Sequence, residues 1–88
     1  MPYIPQDFRG SLEKLYQSIK AHDLSFGELN YLIFRLCLDT IKPSYENYAT
    51  FIGTLETCKL EIYRRLVATF ENQKIRENGD ITCDNTVI

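Results

Sequence analysis

Tryptophan is absent from this chain, and histidine and cysteine are scarce. The single histidine, His22, has no second histidine to share a metal ion, and the cysteines Cys37, Cys58 and Cys83 lie far apart without a CxxC spacing. This pattern excludes the common zinc motifs and gives no support to catalysis by a Cys–His or Ser–His–Asp arrangement. Because three widely spaced cysteines do not form a disulfide framework, we expect a reducing compartment, the cytoplasm.

Long apolar runs, an excess of positive charge and a glycine-rich phosphate loop are also missing. The apolar run YLIF at 31–34 ends at Arg35, far short of the roughly 18 residues that cross a bilayer. The net charge is −2, whereas a general nucleic-acid binder is normally basic. The N-terminal sequence MPYIPQDFRG has no basic segment followed by an apolar core, as a secretory signal would. We therefore expect no membrane span and no long nucleic-acid partner.

Helical periodicity of apolar side chains occupies much of the chain. Residues 10–23 repeat apolar side chains three and four positions apart, which predicts a short helix with Ser11 as its N-cap. The next segment begins with the capping-box pattern Ser25-x-x-Glu28 and ends before Pro43, which predicts a second helix.

A third helix should begin near Ser44 and end near Gly79, a residue type that suits the position just past a helix end. Uninterrupted, it would contain about 34 residues and measure roughly 50 Å, which is long for one small domain. We expect either a kink near VATF at 67–70 or packing of its distal half on another subunit. The sequence thus predicts a single all-α domain at 1–79, built from a short N-terminal helix and an antiparallel pair of longer helices, with an extended or loose tail at 80–88.

The second predicted helix is apolar on two faces, which indicates that it meets more than its own chain. A chain of 88 residues buries only about 60–65% of its extended surface, so assembly is a common supplement. A helix that is apolar on two sides is either central in a bundle or in contact with another subunit. We expect a homo-oligomer. The two faces are Leu29, Leu32, Ile33 and Leu36, and Tyr31, Phe34, Leu38 and Ile41.

Basic and aromatic side chains are concentrated in the third helix. Residues 59–76 contain five basic and two acidic side chains, a local charge of +3 in a chain that is −2 overall. Lys59 and Tyr63 are four positions apart and share a helix face, with Arg64 next to it. Such a group could stack on a base and bind a phosphate. From residue types alone, a solvated face with ion pairs from Glu61 to Arg64 or Arg65 is the better interpretation.

Three stretches resemble a known family: MPYIPQD at 1–7, GELNYLI at 27–33 and ETCKLEIYRRLVATFENQKIRENGD at 56–80. From MPYI to ENGD the chain resembles a small family, uncharacterised in activity, that tailed bacteriophages and prophages encode. Relatives often have APYE where this chain has ATFE at 68–71, so this chain lacks their proline. The resemblance implies a phage protein that acts in the host bacterial cytoplasm.

Small helical phage proteins of this kind are similar to immune-signal sponges, which bind cyclic oligonucleotides or cyclic ADP-ribose derivatives without chemical conversion. By this similarity we expect a non-enzymatic anti-defence protein that sequesters such a signal in pockets at subunit junctions, with no cofactor and no metal. Aromatic rings would stack on bases and basic side chains would pair with phosphates. The expected ligand-binding residues are Tyr3, Arg9, Tyr31, Lys59, Tyr63, Arg64 and Arg65.

Two alternatives stay open at this point. A small protein-interaction module that docks on a host or phage protein, and inhibits or adapts it, explains the two-faced second helix equally well. An all-α nucleotide hydrolase would need paired carboxylates for Mg²⁺. Glu56 and Glu61 are the nearest pair, but five positions on a helix point them about 140° apart, and no second acidic pair faces them.

Overall fold

The structure, a computed structural model, describes residues 2–82 and is helical throughout its regular elements. The predicted all-α class is therefore confirmed for this part of the chain. Contacts divide the chain into two compact units, Met1–Thr54 and Leu55–Ile88. Residues 83–88, which form most of the predicted tail and include Cys83, lie outside the described residues.

The first unit begins with a 3₁₀ turn at Gln6–Phe8 that leads directly into helix α1, Gly10–His22. The turn is closed by the Phe8 N–H, which donates to the Pro5 carbonyl at 3.0 Å. The prediction that Ser11 caps α1 is wrong, because the N-cap residue is Arg9 and no side chain caps the helix. Since the turn makes Gly10 the first residue of α1, Ser11 lies inside the helix, where its hydroxyl cannot act as a cap.

Helix α2, Phe26–Thr40, begins with the predicted capping box. The Glu28 N–H donates to Ser25 Oγ at 3.1 Å, and the Ser25 N–H donates to Glu28 Oε1 at 2.9 Å. The pKa of Glu28 is lowered chiefly by the hydrogen bond from the Ser25 N–H. The hydrogen bond with the Ser25 hydroxyl and the charge of His22 act in the same direction. The helix ends where Ile41 becomes extended, two residues before Pro43, as the prediction required.

Helical structure is continuous from residue 45 to residue 78, in three successive elements. Helix α3 is Tyr45–Ile62, a π-helical turn follows at Tyr63–Val67, and helix α4 is Ala68–Asn78. The Asn47 N–H donates to Ser44 Oγ at 3.0 Å, which confirms the predicted start. The π turn ends at Val67, where the sequence VATF begins, and the kink expected near 67–70 stays a prediction.

The end of α4 is also where the sequence places it. Gly79 follows the last helical residue with φ 85° and ψ 153°, and its N–H donates to the Ile75 carbonyl at 2.8 Å. This backbone conformation is accessible to glycine almost exclusively. Glycine at position 79 therefore allows the chain to leave the helix directly after Asn78.

Within residues 2–82 no side chain is buried, whether apolar or polar. The two faces predicted for α2 are both solvent-accessible to different degrees: Leu32 is 37% exposed, whereas Phe34 on the other face is 68% exposed. In the part of the chain that the structure describes, no helix has both the length and the apolar character that a bilayer crossing requires. The apolar stripes of these helices are thus not buried by the residues that the structure describes.

We expect Ser25→Ala to lower the free energy of unfolding by about 1 kcal/mol, because it removes the acceptor for an N–H at the start of α2. Ser11→Ala is the matched control, since its hydroxyl caps no helix, and it should leave stability unchanged or raise it slightly. Urea unfolding followed by circular dichroism at one protein concentration measures both. An equal loss in the two variants would contradict the capping assignment.

Candidate functional site

The residues that the sequence singles out for ligand binding fall in both units. The first unit contains Tyr3, Arg9 and Tyr31. The second contains Lys59, Tyr63, Arg64 and Arg65. Within the second unit these four residues occupy the end of α3 and the π turn that follows it.

The basic residues of the second unit have acidic partners on the same helix. Arg64 Nε donates to Glu61 Oε1 at 3.2 Å, with the Arg64 side chain 71% exposed. Lys59 Nζ lies 2.8 Å from Glu56 Oε1. The predicted ion pair between Glu61 and Arg64 is therefore confirmed. Exposed pairs of this type contribute about 0–1 kcal/mol, so they leave both basic groups accessible to a stronger anion.

The π turn contains three of the predicted ligand residues in succession, Tyr63, Arg64 and Arg65. It is closed by the Ala68 N–H, which donates to the Tyr63 carbonyl five residues earlier. The Thr69 hydroxyl donates to the Arg65 carbonyl at 3.3 Å, which satisfies a backbone acceptor within the turn. Helical irregularities of this type are frequent at functional sites, because they move side chains out of the regular α-helical register.

Tyr63 is bound to a residue that the sequence analysis did not select. Its hydroxyl makes a hydrogen bond with the carboxylate of Glu71, which raises the pKa of Tyr63, and the charge of Glu71 acts in the same direction. The two residues are eight positions apart, so a regular α-helical pattern gave no signal for this pair. Glu71 also lines a groove of about 440 Å³ along α4, together with Phe70 and Lys74.

In the first unit Tyr31 belongs to a cluster on α2. Arg35 Nη1 donates to Tyr31 Oη at 2.9 Å, and Arg35 Nε donates to Asp39 Oδ2 at 3.0 Å. The guanidinium carbon lies 5.9 Å from the centre of the Tyr31 ring. The hydrogen bonds with Tyr31 and then Asp39 raise the pKa of Arg35. The i, i+4 and i+8 spacing of these residues would have revealed the cluster in the sequence.

A groove of about 360 Å³ lies between the end of α1 and the start of α2, and Tyr31 is one of its walls. Ile19 and Leu32 supply apolar surface, and His22 and Glu28 supply polar groups. Since Glu28 already holds the capping box, its carboxylate has a structural role here.

Arg9 makes a contact inside its own segment. Its Nε donates to the Ile4 carbonyl at 2.9 Å, which ties the residues before the 3₁₀ turn to the start of α1. Tyr3 lies in this N-terminal segment and is 44% exposed. The contact gives Arg9 a structural role, and ligand binding by Tyr3 and Arg9 stays a prediction.

Within residues 2–82, no three His, Cys, Asp or Glu side chains are grouped as metal ligands. The carboxylates considered for Mg²⁺ binding, Glu56 and Glu61, are instead paired with Lys59 and Arg64. Each of these two carboxylates is therefore engaged with a basic side chain of its own helix.

A family model described as "Domain of unknown function (DUF6899)" matches residues 1–81. Because the match spans more than nine-tenths of the chain, the protein belongs to this family. No curated protein and no solved structure matches the chain. The family description assigns no activity, so the function is inferred from the residues themselves.

We expect Glu71→Ala to lower the pKa of Tyr63 toward the ordinary tyrosine value of about 10, because the neutral phenol loses its acceptor and the phenolate loses a repelling charge. Ultraviolet absorbance measured against pH follows tyrosine ionisation, and Tyr63→Phe identifies the Tyr63 component. Glu77→Ala, on the same helix, is the control and should leave the titration unchanged. Identical titration curves for Glu71→Ala and the wild type would contradict the contact.

Proposed function

We propose that this chain assembles as a homo-oligomer and binds a nucleotide-type immune signal without converting it. The ligand class is a cyclic oligonucleotide or cyclic ADP-ribose derivative, held at subunit junctions. The protein would then be a phage anti-defence sponge of the host bacterial cytoplasm. The observation that supports this function most is the coincidence of the π-helical turn with Tyr63, Arg64 and Arg65.

The exposed apolar surface supports assembly. The chain exposes 8240 Å², whereas a folded monomer of its mass exposes about 5,400 Å². The excess of about 2,800 Å² is larger than the roughly 800 Å² that each partner buries in a standard interface. Since no side chain among residues 2–82 is buried, covering this surface in an assembly would stabilise the chain.

The exposure of Arg64 supports anion binding. Its side chain stays 71% exposed while it pairs with Glu61, and a phosphate accepts strong charge-assisted hydrogen bonds from a guanidinium. A ligand phosphate would therefore reach Arg64 and compete with Glu61 for it. The ring of Tyr63, 49% exposed, offers a stacking surface next to that phosphate site.

The short connection between α2 and α3 supports the antiparallel arrangement of these two helices. Residues 41–44 join the two helices, and so short a connection favours antiparallel neighbours. In a symmetric homo-oligomer the same junction occurs more than once, so basic and aromatic side chains from two copies can converge on one ligand. Lys59 and Arg65 would add to the positive potential around Arg64.

A second candidate function is a protein-interaction module that docks on a host or phage protein. The exposure of Phe34 and Leu38 on α2 favours it, because an apolar helix face also suits a foreign partner. Such a module would purify with a different protein bound, whereas a sponge would purify as a closed homo-oligomer with a small molecule.

The direct experiment is native mass spectrometry of protein purified from bacteria with an active signalling defence system, followed by heat release and analysis of the supernatant. We expect a closed oligomer that releases a cyclic nucleotide or cyclic ADP-ribose derivative. Protein from cells without the defence system is the control and should release no such compound. A homo-oligomer that releases nothing from signalling cells would contradict the sponge function.

We expect Arg64→Ala to weaken ligand binding by about tenfold to a hundredfold, the equivalent of one lost charge-assisted hydrogen bond. The oligomer and its melting temperature should change little, since the Glu61 ion pair is exposed on the Arg64 side. Lys74→Ala is the matched control, because Lys74 is similarly exposed and also paired, with Glu77. Calorimetric titration with the released compound measures both variants, and equal affinities would remove Arg64 from the site.

A further inference from the structure

One face of α2 combines apolar side chains with an arginine whose partners are on its own helix. The residues recur at i, i+3, i+4 and i+7, so they lie side by side. The outer face of α2 consists of Tyr31, Phe34, Arg35 and Leu38. All four side chains are exposed, and Phe34 is the most exposed of the apolar ones, at 68%.

The contacts of Arg35 prepare it for burial. Asp39 neutralises its charge through a 3.0 Å ion pair, and Tyr31 accepts a second hydrogen bond at 2.9 Å. A buried charge is costly unless it is paired and hydrogen-bonded. Arginine and tyrosine are also the residue types most enriched at interface hot spots. The face can therefore be covered without leaving an unpaired charge.

We propose that the outer face of α2 packs against the same face of a second copy of this chain, across a twofold axis. The proposal rests on the homo-oligomer of the proposed function and names its interface. Arg35, oriented by Tyr31 and Asp39, lies at the centre of this interface beside Phe34. Tyr31 then acts through Arg35 in assembly, and the ligand is bound by residues of the π turn.

A second copy fits this face better than a foreign protein for two physical reasons. The chain's exposed area exceeds that of a folded monomer by about 2,800 Å², so a cover that is available whenever the chain is made would stabilise it most. Only another copy meets that condition in every cell that makes the protein. The second reason is charge: Arg35 and Asp39 neutralise each other, so two identical faces meet without like-charge repulsion.

A double-mutant cycle tests the interface. Arg35→Leu or Asp39→Leu leaves one charge unpaired at the interface, so each should raise the dissociation constant of the oligomer by about tenfold or more. The double variant Arg35→Leu/Asp39→Leu replaces the pair with apolar groups and should return to about the wild-type value. Sedimentation over a range of concentrations measures dissociation, and circular dichroism checks that the helices remain.

The exposed pair Lys74–Glu77 on α4 is the matched control for this cycle. Lys74→Leu and Glu77→Leu should leave the dissociation constant unchanged. The proposal is overturned if Arg35→Leu and Asp39→Leu dissociate no more than these controls, or if the double variant is as weak as the two single effects combined.

Disulfide cross-linking gives an independent test. Phe34 lies near the middle of α2, so in a twofold interface it meets its own counterpart. In a background with the native cysteines Cys37, Cys58 and Cys83 replaced by serine, Phe34→Cys should form a chain-to-chain disulfide on mild oxidation. Phe70→Cys on α4 is the control, because Phe70 is equally exposed at 70%. Equal cross-linking at the two positions would overturn the proposal.

The same preparations separate this inference from the proposed function. If the Arg35 cycle and the Phe34 cross-link behave as expected while no preparation releases a cyclic nucleotide or cyclic ADP-ribose derivative, the interface stands and the sponge function fails. If the compound is released but Arg35→Leu leaves the oligomer intact and Phe34→Cys does not cross-link, the sponge function stands and the α2 interface is overturned.

Discussion

The burial of apolar surface is the constraint on which this protein depends, because the described part of the chain leaves that surface exposed. Helices α1, α2, α3 and α4 all have apolar side chains, yet no residue among 2–82 is buried. A folded state is stabilised chiefly by removing such surface from water, against a conformational entropy cost of similar size. For a chain of this length the balance is marginal even with a complete core. In the proposed homo-oligomer a second chain would cover this surface, and folding and assembly would then be one equilibrium.

Local electrostatics are satisfied before any assembly occurs. Glu56, Glu61, Asp39 and Glu77 each pair with a basic residue three or four positions away on the same helix. These exposed pairs contribute little to stability, but they remove the penalty for bringing charged helix faces together. The consequence differs between the two ends of the chain. On α2 the ion pair with Asp39 would let Arg35 lie in the proposed interface, and on the π turn Arg64 stays 71% exposed while it pairs with Glu61.

The π-helical turn interrupts the regular α-helical register of the continuous helical segment at 45–78. Closing a hydrogen bond over five residues changes the angular position of everything that follows, so the side chains of α4 do not continue the stripes of α3. It also brings Tyr63 to Glu71, eight positions along the chain. A regular helix would distribute Tyr63, Arg64 and Arg65 along one even spiral. In the π turn the angular spacing of these three side chains differs from that of the α-helices on either side.

The sequence by itself determined the helices and their ends. Ser25 with Glu28, Ser44, Pro43 and Gly79 act through their own backbone and nearest neighbours, so residue type is enough to locate a cap, a start and a stop. It failed at Ser11, because the 3₁₀ turn before α1 moved the helix start.

Only the three-dimensional structure decided the π turn, the Tyr63–Glu71 hydrogen bond and the extent to which each apolar face is exposed. No residue type in YRRLV demands five-residue hydrogen bonding, and a pair eight positions apart depends on that register. The exposure of each apolar helix face likewise depends on which other elements pack against it. Local hydrogen bonds are encoded by neighbouring residues, whereas register and burial are properties of how the elements are arranged in space.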